Sequence, residues 1–263
     1  MNNQEIIATA QRGLAEVLKE ITRRCGGIAR EEDGLVMVAA NHPCPVFVNS
    51  ALRIGPVDAN DTLRRIKAFF AERGHHCETW VREGADADLE QVAIAAGMRV
   101  AIELSGMVLH QCPDLPEPQT GVEIRRVENA QGVRDFADIA GDVFADEVSG
   151  LKDLVHHMFS EPRSLVAPDT AAFVVWDRGE PASTALTMVK EGVAQVCWVA
   201  TRPEARGRGL GGLATVAATR AGFALGARFA SLEASAMGAP VYQRLGFREV
   251  LRYRTYWSPE FTG

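Results

Sequence analysis

The chain has 263 residues, 47% of them hydrophobic, which is enough for two globular domains of ordinary size. Its formal net charge is −6 and neither half is basic, so its charge does not favour nucleic-acid binding. No apolar run reaches the roughly eighteen residues that cross a membrane, no signal-peptide pattern is present and the five cysteines are scattered, which together predict a cytoplasmic protein.

The first half begins with a long amphipathic helix. Apolar residues recur at helical spacing over 4–24, and Gly26-Gly27 ends the pattern. The elements predicted after it are strands at 35–39, 46–54, 77–81 and 100–109 and helices at 58–71 and 89–96.

A proline-rich segment divides the chain. Three prolines fall within 113–118, and neither a helix nor a sheet continues through such a run. The predicted domains are therefore 1–112 and 121–263, joined by a linker at 113–120.

The second half repeats the order of the first, with a helical region, strands, a helix, a strand, a short helix and a long strand. Its predicted strands are 122–126, 171–176, 183–189, 193–200, 229–234 and 249–256, and its predicted helices are 130–144, 152–159, 210–225 and 239–245. This pattern predicts an α/β (α+β) protein with two related domains, each a mixed, mostly antiparallel central sheet flanked by helices.

The most informative stretch is a glycine loop at 206–212, which follows a strand and opens a helix. Glycine lacks a Cβ atom, so the backbone can approach a ligand closely and adopt positive φ. The first N–H groups of a helix lack internal partners, and the helix dipole favours an anion there. The loop is therefore predicted to hold a phosphate or pyrophosphate group.

Three phosphate-binding patterns compete for this loop. The Walker pattern fails because no lysine and hydroxyl follow the last glycines. The glycine spacing of the dinucleotide pattern is matched by Gly207, Gly209 and Gly212. The sequence that follows lacks the acidic residue expected about twenty residues later on a second parallel strand. The third pattern, Arg-x-x-Gly-x-Gly, is met by Arg206, Gly209 and Gly211.

The flanking sequence adds a family resemblance. Residues 201–211 resemble the acyl-CoA loop of the GNAT superfamily of N-acetyltransferases, and 241–247 resemble its closing "LY-x-x-LGF" segment. The resemblance covers roughly 121–258. The first half looks like a diverged repeat of the same unit, although an unrelated α+β domain is the alternative. Its corresponding turn, 55–61, lacks the motif and carries acidic residues, so it is not expected to bind CoA.

The resemblance implies acetyl-CoA as co-substrate, with no metal. The pantetheine arm is expected to pair with the backbone near Val199 and Thr201, and the Val199 N–H to polarise the thioester carbonyl. The expected cofactor contacts are Val199, Ala200, Thr201, Arg206, Gly207, Arg208, Gly209, Leu210, Gly211, Gly212 and Ser235.

Two residues are candidate catalysts. Tyr242 resembles the family's acid, and its alternative role is a core aromatic beside Phe247. Glu233 is an acid in an otherwise apolar strand, where burial would raise its pKa and make it a base. Its alternative role is an ion pair with an arginine, and its rivals as base are Asp142, Asp146 and Glu147.

Three further positions bear on the site. The sequence departs from the family at Ser235, where asparagine is common, and at Gly238, where alanine is common. Cys197 is interpreted as a buried apolar thiol rather than a nucleophile.

The resulting prediction is an acyl-CoA-dependent N-acyltransferase that moves acetyl directly to a primary amine of a small molecule or amino acid. The partners predicted are the amine alone, without nucleic acid or membrane, in a monomer or homodimer. Two alternatives are a non-catalytic acyl-CoA-binding or partner-binding protein on the same fold and a nucleotide-dependent oxidoreductase.

Overall fold

A computed structural model describes residues 1–44, 46–145 and 150–258. The first half contains helix α1 (Asn3–Arg24), strands β1 (Ile28–Glu32), β2 (Leu35–Ala39) and β3 (Asn49–Arg53), helix α2 (Ala59–Ala71), strand β4 (Glu78–Arg82), helix α3 (Ala87–Ala95) and strand β5 (Arg99–Leu109).

The second half follows the same order. It contains strand β6 (Val122–Arg126), helices α4 (Ala130–Phe144) and α5 (Leu151–Met158), strands β7 (Thr170–Asp177), β8 (Glu180–Lys190) and β9 (Val193–Thr201), helix α6 (Leu210–Ala224), strand β10 (Phe229–Ala234), helix α7 (Ala239–Arg244) and strand β11 (Arg248–Trp257). Every predicted element is confirmed with small changes in its bounds. Strand β1 was not predicted, because it is a mostly exposed edge strand without a buried face.

The described strands form one 11-stranded sheet in the order β1-β2-β3-β4-β11-β5-β10-β9-β8-β7-β6. The last strand of each half lies beside the other half: β11 pairs with β4, and β5 pairs with β10. Strands β5 and β11 also pair with each other along most of their length. The predicted α/β class is confirmed, while the domain boundaries at 112 and 121 stay a prediction.

Helices cover both faces of the sheet. On one face, α6 packs on the second half through Leu213 and Ala214, and α2 packs on the first half through Ile66 and Phe70. On the other face lie α1, α4 and α5. Among the helices described, none combines the length and apolarity that a membrane crossing requires.

Helix α1 contacts both halves of the sheet. Leu14 and Leu18 pack with Trp80 and other residues of the first half, and a Cβ on Gly13 would lie 3.1 Å from Val193 Cβ of the second half. The first helix of the chain therefore helps to hold β9 in place, and β9 forms one wall of the site.

Candidate active site

The two central strands of the second half separate at one end. Strands β9 and β10 run parallel, and their register ends at the pair Gln195 and Ser231. Strand β10 continues to Ala234 and β9 to Thr201, so a wedge opens between their carboxyl ends. This is the splay that the family resemblance implies for the pantetheine arm.

A β-bulge deforms β9 beside this wedge. The register with β8 passes from Cys197 directly to Ala200, so Trp198 and Val199 together oppose one residue. Trp198 has φ 54°, which is unusual for a bulky side chain. As a result Cys197 and Trp198 both pack on the face of α4 and α5, while Val199 packs toward α6. The bulge lies where Val199 is predicted to meet the thioester carbonyl.

The glycine loop has the geometry of an anion cradle. Helix α6 begins at Leu210 with Gly209 as its N-cap, and no side chain caps its first turn. Gly207 and Gly209 have φ 76° and 78°, which glycine adopts without strain. A Cβ on Gly211 would lie 2.8 Å from Thr201 Oγ1, so only glycine fits beside the end of β9. The loop residues therefore fit the predicted pyrophosphate group.

The two loop arginines differ in their surroundings. Arg208 forms a two-point ion pair with Asp177, whose Oδ1 accepts from Nη2 at 2.8 Å. Arg206 is exposed, and its Nε donates to the Thr201 carbonyl at 3.2 Å. The charge of Arg206 is thus the more available of the two for a phosphate group.

Glu233 faces the wedge from β10. Its Oε2 accepts a hydrogen bond of 2.6 Å from Gln195 Nε2 on β9. The residue retains some accessibility, but its carboxyl group lies deep among other atoms, and this desolvation raises its pKa to about 8. The partner is an amide and not an arginine, so the ion-pair alternative for Glu233 is wrong.

Gln195 is a site residue that the sequence motifs did not indicate. It is fully buried, and its Oε1 has no hydrogen-bond partner in the described part of the chain. The available signal was a glutamine inside an apolar strand that neighbours the strand of Glu233. A buried pair of one carboxyl and one amide is a polar site in an apolar wall, which is where a reacting amine can be held.

Tyr242 is placed on α7, and its ring contacts Phe247 with centroids 6.1 Å apart. Burial raises the pKa of its phenol to about 12. A Cβ on Gly238 would lie 3.0 Å from Tyr242 Cε2, so the glycine that departs from the family makes room for this ring. Ser235, the other departure, accepts a hydrogen bond from the Gly238 N–H at 3.3 Å.

The rival bases have a different environment. Asp142 binds Lys152 Nζ at 2.6 Å and Arg202 Nη1 at 2.8 Å. Burial opposes the charged form, but these hydrogen bonds outweigh it and lower the pKa of Asp142, contrary to what a base requires. Asp146 and Glu147 lie outside the described residues. Burial also raises the pKa of the Cys197 thiol, which disfavours the thiolate needed for covalent catalysis.

Comparison with known families identifies the second half. Residues 138–247 match the sequence profile described as the acetyltransferase (GNAT) family. The chain carries a GNAT domain. Its glycine loop, its parted strands and its α7 tyrosine all lie within the matched residues. A search of curated proteins found no significant match.

Solved structures extend the GNAT likeness to the first half. A GCN5-related N-acetyltransferase from Kribbella flavida is 23% identical with a TM-score of 0.72, over 93% of this chain and 95% of that one. Another from Sphaerobacter thermophilus is 16% identical with a TM-score of 0.61, over 95% and 90%. A tandem GNAT protein from the clavulanic acid biosynthesis pathway is 13% identical with a TM-score of 0.56, over 90% and 80%. At these identities the likeness shows the fold, and it includes the first half.

Proposed function

We propose that this protein is an acetyl-CoA-dependent N-acetyltransferase that transfers acetyl directly to a primary amine of a small molecule. The main support is the wedge between β9 and β10, which has the uncapped start of α6 at its side and the desolvated carboxyl group of Glu233 on its wall. Cytoplasmic location, a monomeric or homodimeric state and a metal-free reaction stay predictions.

The backbone of the second half would hold the cofactor. The N–H groups at 207–212 would bind the pyrophosphate, with charge from Arg206. The backbone N–H and C=O groups of Val199, Ala200 and Thr201 would hydrogen-bond with the pantetheine arm, as the edge of a sheet does with an added strand. Ser235 would contact the arm from the opposite side of the wedge. Acetyl-CoA would supply an acetyl group activated as a thioester.

Glu233 would act as the general base of the transfer, and Tyr242 would act as its general acid. As an anion, Glu233 would take a proton from the attacking amine, and its pKa of about 8 suits that task better than that of an ordinary carboxyl group. Tyr242 keeps its proton at neutral pH, because the pKa of its phenol is about 12, and it would donate this proton to the departing thiolate. Gln195 would fix the Glu233 carboxyl at the wall of the wedge.

We infer that the first half binds no CoA. Asp58 accepts a hydrogen bond from the Asp61 N–H, so a carboxylate already occupies the start of α2. At the ends of β3 and β4, Arg53 and Arg82 both bind the fully buried Asp86. These ion pairs fill the position that corresponds to the open wedge of the second half.

Calorimetric titration of acetyl-CoA into the purified protein tests the proposal. Binding is expected to be lost in Gly209→Glu, which places a side chain and a negative charge in the cradle. Gly226→Glu is the matched control, since Gly226 also has positive φ and open space at its Cβ position. Absence of binding in the wild type would overturn the proposal. Binding without turnover against any amine would favour the non-catalytic alternative.

A further inference from the structure

A group of four aromatic residues lies beside the wedge. Its members are Phe47, Phe144, Phe159 and Trp198, called here the aromatic group. The Trp198 ring centroid lies 4.7 Å from that of Phe47, 5.7 Å from Phe144 and 5.2 Å from Phe159. Phe47 comes from the loop between β2 and β3, so the first half contributes one member and the second half contributes three.

Two members of the group have strained backbones. Phe47 has φ 53° and Trp198 has φ 54°, a region that bulky residues rarely adopt. Hydrogen bonds hold both: Thr184 Oγ1 donates to the Trp198 carbonyl at 2.9 Å, and Ser50 Oγ donates to the Phe47 carbonyl. Strain of this kind persists only where the surroundings impose it, and it concentrates at ligand sites.

The group lies on the acceptor side of the wedge. Cys197 and Trp198 share one face because of the bulge. Glu233 lies two residues beyond Ser231, as Cys197 lies two residues beyond Gln195, so Glu233 and Cys197 stand at the same level across the wedge. An amine held at Glu233 therefore has the aromatic group as the next surface along β9.

The exposure of the four rings fits a wall for a ligand. Phe159 and Trp198 are buried, at 2% and 8% exposure, whereas Phe47 and Phe144 are half-buried. The two buried rings thus support two rings that present apolar surface. Covering such surface with an apolar ligand group is favourable, and rings also stack on one another.

The charges around the group disfavour an acceptor with a carboxylate. Cations near its members in the chain include Lys152, at the start of α5, Arg163, four residues after Phe159, and Arg202, just after β9. Lys152 and Arg202 are bound to Asp142, and Arg163 is bound to Glu161. His42, in the same loop as Phe47, has its pKa lowered by burial, which favours the neutral imidazole. A buried carboxylate would therefore lack a cation among these described neighbours.

We propose that the acceptor is a primary amine with an aromatic or bulky apolar substituent and no carboxylate, and that this substituent packs on Phe47 and Phe144, whose rings are supported by the buried Trp198. The inference rests on the proposed N-acetyltransferase function and narrows its substrate class. It also gives the first half a role in substrate choice, since Phe47 is part of that half.

Steady-state acetylation of three amines tests the inference. The probes are 2-phenylethylamine, propylamine and phenylalanine. The value of kcat/KM for 2-phenylethylamine is expected to exceed each of the others by about tenfold or more, as burial of a ring implies. Equal values, or a preference for propylamine or phenylalanine, would overturn the inference.

Variants separate a specificity role from a structural one. Phe47→Ala should lower kcat/KM for 2-phenylethylamine about tenfold and leave propylamine within about twofold, with unchanged acetyl-CoA affinity. Phe47→Leu, which keeps apolar bulk, should give an intermediate loss. Phe223→Ala, a half-buried phenylalanine on the α6 face, should not alter the ratio of the two amines. An equal loss for both amines in Phe47→Ala would contradict the inference.

The outcomes also separate the two proposals. If acetyl-CoA binds and amines are acetylated without preference for the apolar one, the acceptor class is wrong and the N-acetyltransferase function stands. If acetyl-CoA does not bind, both proposals fail together.

Discussion

Gln195 Nε2 donates a hydrogen bond of 2.6 Å to Glu233 Oε2, across the point where β9 and β10 begin to part. The bond joins the two walls of the wedge at its closed end. It also stabilises the charged form of Glu233 against the desolvation that raises its pKa to about 8. These opposing effects place the pKa of the candidate base close to neutral pH.

The first prediction concerns the pH dependence of activity. Glu233 must be ionised to accept a proton, so kcat/KM should rise with pH through an apparent pKa near 8. Gln195→Leu removes a donor to the carboxylate, and it should move this transition to higher pH. A pH–rate profile of both proteins measures the shift. An unshifted profile in the variant would show that Gln195 does not affect the pKa of the base.

A second prediction follows from the same pKa through its effect on stability. The raised pKa means that the folded protein binds the Glu233 proton more tightly than the unfolded chain. Its contribution to stability is therefore greatest below the ordinary carboxyl pKa of 4.5, and it is lost as pH rises toward 8. Glu233→Gln should remove this decline, which is of the order of a few kcal/mol at about 1.4 kcal/mol per pKa unit. Urea unfolding at pH 5 and pH 9 measures the stability of the wild type and of the variant. An equal loss of stability in both proteins would contradict a raised pKa for Glu233.

The third prediction assigns the acid. Tyr242→Phe should lower kcat by about a hundredfold or more, the usual contribution of a positioned proton donor, without weakening acetyl-CoA binding. Tyr256→Phe is the matched control, because Tyr256 is also buried with a phenol pKa of about 12 but bonds Glu90 of α3 instead. Steady-state kinetics and calorimetry distinguish the two variants. Unchanged turnover in Tyr242→Phe would leave Tyr242 as a packing partner of Phe247.

The fourth prediction separates the loop arginines. Arg206→Ala should weaken acetyl-CoA binding about fivefold, with the difference falling at high salt, because Arg206 is exposed beside the cradle. Arg208→Ala should act mainly on stability, because it leaves the largely buried Asp177 without its partner. Titrations at two salt concentrations and thermal unfolding report both effects. The reverse pattern would assign the phosphate charge to Arg208.

The sequence predicted the features of this site that are encoded locally. Positive φ at Gly207 and Gly209 needs glycine, so the cradle is visible as a motif. The contact of Phe47 with Trp198 joins residues far apart in the chain, and a phenylalanine gives no local sign of a φ of 53°. The pairing of β5 and β11, the last strand of each half, with strands of the other half was also not predictable, since periodicity indicates a strand but not its neighbour.

The last prediction concerns the separability of the two halves. Although 121–263 contains all the residues that match the GNAT family, its strand β10 depends on β5 of the first half for one of its two ladders. Strand β4 likewise depends on β11. Residues 121–263 expressed alone should therefore be insoluble or unfolded, because an apolar edge is exposed, whereas 1–112 and 121–263 expressed together should associate and bind acetyl-CoA. Size-exclusion chromatography and calorimetry test this, and a folded, CoA-binding fragment 121–263 would show that β5 is dispensable.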